Sequence, residues 1–203
     1  LIIAVLADLV RYESVFKSVI FLPQAISFVG AGIIWRFVYD FRPQLGLLNA
    51  VLDGLFPAYR PIGWLVNPRF ATAALILIFI WMWTGFTMVI LSAALKGIPK
   101  EILEAARTDG ANAWQRFWKI TIPCMTPIIF YNLLMSLVSS LQVITPALSL
   151  TKGGPGTGSY YMCYMLYTQA FQSHKYGYGS AVAVVLFILI AIFTAILFAT
   201  SKG

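Results

Sequence analysis

The sequence predicts an all-α fold, a polytopic bundle of membrane-spanning helices. Three observations carry this. Hydrophobic residues make up 60% of the 203 and charged residues 10%, where a soluble domain is about a quarter charged. Three charge-free runs, Ala71–Leu95, Ile120–Thr151 and Tyr176–Ser201, are each long enough to cross a hydrocarbon core about 30 Å thick. The charges gather in the connectors, and seven of the 21 fall between Pro99 and Pro123. The mean hydropathy of +0.84 excludes an ordinary soluble enzyme. The net charge of +7 is scattered along the flanks of apolar runs, which is membrane-flank chemistry. Membrane lipid is therefore an expected partner and nucleic acid is not.

Taken in order, Leu1–Ala7 reads as the inner end of a span, and Asp8–Lys17 as a short polar connector. Ser18–Trp35 is a minimal span, with Pro23 in its first turns where a missing N–H costs least. Residues 36–70 are polar and turn-rich. Within them Leu47, Leu48, Val51, Leu52, Leu55 and Phe56 share one helical face opposite Asn49 and Asp53, the pattern of a short interfacial helix. Ala71–Leu95 is a clear span. Ile120–Thr151 exceeds what a membrane needs, and Pro123, Pro127 and Pro146 mark where it starts late, kinks or ends. A connector over 152–175 precedes a last span, Tyr176–Ser201. Leu1 opens in the middle of an apolar run, so the chain reads as an N-terminally incomplete membrane domain, one domain over 1–203.

The polar interruption over 96–123 has its own local logic. Pro99 suits a helix start, and Glu101 and Glu104 favour the positive end of the helix dipole. Ile98, Ile102 and Ala105 or Ala106 recur at helical spacing. Gly110 suits the left-handed residue that ends such a helix. Asn112 suits the cap of a second helix carrying Trp114, Phe117 and Trp118. The expected result is a helix, a glycine turn and a second helix on the membrane surface.

The stretch EAARTDGANAWQRFWKITIP resembles the cytoplasmic loop of permease subunits of binding-protein-dependent ABC importers. Glu104, Ala105, Ala106, Gly110, Ile120 and Pro123 fall on that pattern, and Asp109-Gly110-Ala111 matches the carbohydrate-uptake branch. FLPQAISFVGAGIIWRFVYD, LGLLNAVL with GWLVNPRFA, and LTKGGP with YMLYTQAF and YGYGSA extend the resemblance to maltose, glycerol-phosphate and α-glucoside permeases. It implies the type I ABC importer permease architecture in a bacterial or archaeal plasma membrane. It also implies a second permease subunit, ATPase subunits that take up ATP and Mg, and an extracytoplasmic substrate-binding protein. Glu104, Ala105, Ala106, Arg107, Asp109 and Gly110 would couple to the ATPase. With that loop inside, eight basic residues (Arg11, Lys17, Lys96, Lys100, Arg107, Arg116, Lys119 and Lys202) lie on the cytoplasmic side and six outside, a weak bias in the expected direction.

Polar groups inside spans are candidates for a substrate path, because a bilayer penalises them unless they face protein or water. Thr84 and Thr87 lie in one apolar run; Asn132, Ser136, Ser139, Ser140 and Gln142 lie in another. Alignment on Glu104 with the maltose permease implies Phe79, Met82, Trp83, Phe86, Ser136, Ser139 and Ser140 at substrate level, and Asn132 joins them by its polarity. Ordinary packing is the competing reading, since Ser and Thr bond to their own backbone. The glycine-rich 152–158 lacks the order of a phosphate loop and reads as a tight external turn. Ser14 to Lys17 fits S-x-x-K without companions. Cys124 and Cys163 have no metal spacing, and His174 stands alone. No catalytic site, bound cofactor or metal is expected in this chain. A secondary transporter or channel is the alternative, disfavoured because the long spans carry no ionisable group.

Overall fold

The structure is a computed structural model that describes residues 1–56, 59–157 and 159–201, with the backbone alone for Leu9; Gly158 and Lys202, named above, lie outside the described residues. The helices are α1 Ile2–Leu9, α2 Glu13–Phe21, α3 Phe28–Val38, α4 Leu47–Leu55, α5 Pro68–Lys96, α6 Lys100–Thr108, α7 Ala113–Arg116, α8 Ile122–Leu141, α9 Met162–Tyr167 and α10 Tyr176–Thr200. The described residues contain no strand. Among the described residues three stretches are long and apolar enough to cross a membrane, Pro68–Lys96, Ala113–Leu141 and Tyr176–Thr200, or four if the bent pair Glu13–Ala25 and Phe28–Val38 counts as one broken span. The chain forms two compact units, one from Leu1–Ala25 and Trp83–Ser136, the other from Ile26–Met82 and Leu137–Gly203.

In the first unit Ala4 and Ala7 of α1, Met88 and Leu91 of α5, Ile98 and Met125 form a buried cluster. The two alanines let α1 approach closely, the usual way helices pack where water does not drive them together. α2 lies against α5 closely enough that a Cβ on Gly85 would stand 2.4 Å from the Ile20 carbonyl oxygen.

The expected span Ser18–Trp35 is broken. α2 ends at Phe21, a 3-10 turn follows over Leu22–Ala25, and α3 starts afresh at Phe28. Helix formation begins at Glu13, which puts Pro23 ten residues beyond the helix start instead of within the first turns. There the missing N–H and the ring clash end a helix. Ser27 then caps α3, its Oγ accepting the Gly30 N–H at 3.1 Å.

The second helix of the polar loop is also different from the expectation. α7 does not end on a surface; it passes through a π turn, Phe117–Thr121, directly into α8. The Ile122 N–H donates to the Phe117 carbonyl, five residues back. That widened turn lies just before Pro123 and relieves the crowding a proline ring imposes on the preceding turn. At the far end the apolar run to Thr151 splits: α8 stops at Leu141, and a separate short piece ends in a π turn over Ala147–Thr151.

In the second unit α4 is present, with Leu48 and Leu52 half-buried and Asp53 exposed, but Asn49 departs from the expected pattern. Leu47, Val51 and Leu55 are exposed, whereas Asn49, expected on the polar side, is 0% exposed. Its Nδ2 donates to the carbonyls of Asp40, Phe41 and Ile62 at 2.8, 3.2 and 3.0 Å. Its Oδ1 accepts from the Tyr59 hydroxyl at 2.6 Å and the Ile62 N–H at 3.1 Å. The amide thus ties together connectors that have no ladder or helix of their own. Beside it, the Arg42 side chain bonded to the Asp40 carboxylate holds that carboxyl down to about 2. An aromatic row joins Tyr39 to Trp35 and Trp64, with centroids 5.0 and 6.3 Å away, and Trp35 meets Trp81 edge-on at 5.6 Å.

The connector 152–175 contains more helix than its composition suggests: α9 runs on through a π turn, Thr168–Gln172. α10 follows, and a Cβ on Gly179 would fall 2.7 Å from the Ala170 Cβ, so glycine permits this contact. The glycine-rich segment is a tight turn, as expected, with Gly153 and Gly156 at φ +85° and +58°.

Asn49→Leu removes five hydrogen bonds and takes the partner from the Ile62 N–H and from the Asp40 and Phe41 carbonyls, while the Ile62 carbonyl keeps the Trp64 N–H. We predict a loss of about 3 kcal/mol, read as a lowered midpoint of thermal unfolding in detergent.

Candidate functional site

α6 and α7 are built as a self-contained elbow. Pro99 stands before the first turn of α6, with Glu101 in that turn and Arg107 in the last, both matched to the helix dipole. At the end of α6 the Gly110 N–H donates to the Arg107 carbonyl and the Ala111 N–H to the Ala106 carbonyl, each at 3.0 Å. These two bonds are the Schellman closure, and they need a left-handed residue at Gly110, whose φ is +79°. One residue after Ala111 the next helix opens. Asn112 Oδ1 accepts the Gln115 N–H at 2.8 Å, and Gln115 Oε1 accepts the Asn112 N–H at 2.9 Å, a reciprocal capping box. Arg116 adds a third tie, its Nη1 donating to the Ala111 carbonyl at 2.7 Å.

The elbow encloses a cavity of about 400 Å³ in the first unit, with Leu95, Leu103 and Phe117 among its apolar walls and Lys100, Glu104, Arg107 and Arg116 among its polar ones. Among the described residues none of these four charged groups has an opposite charge within ion-pair distance. The cavity therefore presents three cations and one carboxylate, none in a close ion pair among the described residues.

Of the six residues the sequence points to for coupling, Glu104 and Arg107 line this cavity. Ala105, Asp109 and Gly110 are exposed, and Ala106 is turned inward and buried. The apolar side of α6 is accordingly Leu103 and Ala106; Ile102, expected on that stripe, is exposed. Lys100 and Arg116, which line the same cavity as Glu104, are not singled out by the sequence pattern. Lys100 stands four residues before Glu104, a helical neighbour spacing that the sequence does display. Arg116 reaches the cavity only because of the turn.

The path residues divide between the units. In the second unit Phe79 and Ser140 line a cavity of about 230 Å³ with Thr72, Leu75, Ile76, Val143 and Tyr161, while Met82 is buried and Ser139 half-buried. In the first unit Trp83 and Phe86 meet edge-on with centroids 5.8 Å apart. Asn132 is buried and its Nδ2 donates to the Ile128 carbonyl at 2.9 Å; Ser136 is exposed. Thr72 and Tyr161, not singled out from sequence, add two hydroxyls to the smaller cavity. Tyr161 lies in the connector before α9, so only the fold brings it there.

A bundle of membrane-length helices with a capped, charged elbow at the end of two of them is the form of a transport-system membrane component. The chain belongs to the family described as binding-protein-dependent transport system inner membrane component, whose model matches residues 1–201. It is 48% identical to the osmoprotective compounds uptake permease protein GgtC of Synechocystis sp. over 94% of this chain and 68% of that protein. It is 42% identical to the alpha-glucoside transport system permease protein AglF of Rhizobium meliloti over 94% of this chain, and spans 57% of that relative's length. In fold it matches a chain of a bacterial ABC transporter involved in the import of alginate, with a TM-score of 0.86 at 23% identity, covering 99% of this chain and 70% of that one. The all-α, multi-span permease architecture expected from sequence is thus the observed one.

Gly110→Val forces a branched side chain into the left-handed region and costs about 1–2 kcal/mol, although a Cβ there meets nothing within 4 Å. We predict faster proteolytic cleavage in the elbow for this variant and near-normal cleavage for Gly110→Asn, read by limited proteolysis in detergent.

Proposed function

We propose that this chain is the translocation subunit of an ATP-driven importer of a sugar or oligosaccharide, α-glucosides among the candidates. The observation that carries the reading is the elbow: a rigid, charged helix pair projecting from the ends of two membrane-length helices, on the residues that match the importer pattern. In this reading α6 is the docking element for a separate ATPase subunit, which supplies ATP hydrolysis and its Mg; the chain itself does no covalent chemistry. Glu104 and the cations around it supply charge recognition, and the two hydrogen-bonded caps make α6 move as one body with α8. A second permease subunit completes the path, and a substrate-binding protein delivers the sugar from outside. Residues 1–203 act together as one permease domain.

The names of the relatives support a carbohydrate or related polyhydroxyl cargo. The smaller cavity fits that chemistry, with the Phe79 ring for an apolar sugar face and hydroxyls of Thr72, Ser140 and Tyr161 for hydrogen bonds. Alternation would proceed by rigid-body motion of helices around a fixed site.

Two measurements test this. A detergent pull-down of the full-length subunit from its native membrane should recover an ATPase, and Glu104→Arg should lose it; equal recovery would refute the docking role. In the reconstituted transporter Phe79→Ala should raise the half-saturating sugar concentration about tenfold, equivalent to about 1.4 kcal/mol of binding, with ATPase recovery unchanged. An unaltered concentration dependence would place the cargo elsewhere.

A further inference from the structure

The first unit holds a charged network that the transport reading above does not use. Lys17 Nζ of α2 lies 2.5 Å from Asp8 Oδ1 of α1 and 2.6 Å from Glu13 Oε1. Ser92 of α5, 2% exposed, donates its Oγ–H to Asp8 Oδ1 at 2.7 Å and is also hydrogen-bonded to Lys17 Nζ. Lys96, in the last turn of α5, pairs with Glu13. The Lys17 and Asp8 side chains are only 16% and 19% exposed.

These contacts follow one register. Ile20 meets Gly85, Lys17 meets Ser92 and Glu13 meets Lys96, so α2 runs antiparallel along the last three turns of α5. The upper contact is backbone against backbone at a glycine. The lower two are polar, and they fall where α5 hands over through Gly97 and Pro99 to α6. A half-buried ion network is a poor way to gain stability, because desolvation offsets most of the attraction. Direction and reach are what it supplies: a lysine held by two carboxylates and a hydroxyl from three segments has one position.

We infer that Lys17 is a positioning residue for coupling. It fixes the end of α5 against α2, so that displacement of α6 is carried into α2 instead of being lost as fraying of α5's last turns. This rests on the reading that α6 receives the ATPase's movement. Lys17→Met keeps the side chain's reach but removes the charge and with it the bonds to Asp8, Glu13 and Ser92; the direct Ser92–Asp8 and Lys96–Glu13 contacts stay in place without the lysine that joins them.

The test uses the complete transporter in proteoliposomes, with permease pair, ATPase and binding protein, and reads ATP hydrolysed per sugar imported. Lys17→Met is expected to raise that ratio about tenfold while the ATPase still co-purifies, and Lys17→Arg to keep it within about twofold of wild type. Ser92→Ala, which removes the contacts of Lys17 and Asp8 with α5 and leaves Lys17 with both carboxylates and Lys96 with Glu13, is expected to raise it about threefold and serves if Lys17→Met does not assemble. An assembled Lys17→Met or Ser92→Ala transporter with the wild-type ratio overturns the inference. A wild-type subunit that recovers no ATPase overturns the docking reading instead, and the inference with it.

Discussion

Between Ala106 and Arg116 the chain closes one helix and opens the next with its own backbone and side chains. A helix end leaves four polar groups without partners, and here two ends stand only a few residues apart. The Schellman bonds at Gly110 and Ala111 satisfy one end, and the Asn112–Gln115 box satisfies the other. With both ends closed internally, α6 is free to offer its outer side to another protein while remaining fixed to the membrane-length helix that follows. The cavity, the charged groups that line it and the proposed docking all depend on that closure.

The same economy governs the other polar groups of this apolar chain. Each well-placed one spans connectors. Asn49 ties together turns on either side of α4, and Ser159 bridges the glycine turn, its hydroxyl donating to the Gly154 carbonyl at 2.6 Å. Lys17 joins α1, α2 and α5. Apolar residues, by contrast, are often turned outward: α10 exposes Val184, Val185, Phe187, Ile192 and Phe193. For a helix with lipid or a partner helix as its surroundings this outward face is the stable arrangement.

Much of this is legible in the sequence, because membrane length and charge avoidance are local properties. α5 and α10 match their apolar runs nearly residue for residue, and the positions of Gly110 and Asn112 follow from turn chemistry alone. Errors arose where a residue's effect depends on where its helix began. Pro23 looked harmless until the helix proved to start at Glu13. Pro123 looked like a span start until the π turn before it proved to carry the helix through. The pattern of α4 puts Asn49 on the polar side, yet the carbonyls of Asp40 and Phe41 and the Ile62 N–H needed a partner more than the surface needed an amide. The elbow's charged residues were visible as a motif, but their convergence on one cavity, and the approach of Tyr161 to Phe79 and Ser140, belong to the fold.

The central claim is that the outer side of α6 is where the energy-supplying subunit binds. The most direct measurement is cysteine cross-linking in native membranes, using the full-length subunit with Cys124 and Cys163 replaced by serine and a single cysteine at Ala105 or Asp109. Both positions are exposed. The account predicts a covalent adduct with an ATPase subunit from either position and a change in its yield on adding ATP, with none from a cysteine at Phe187 on α10. Adducts only with lipid-embedded proteins, or an ATPase adduct from Phe187 and not from α6, would contradict it.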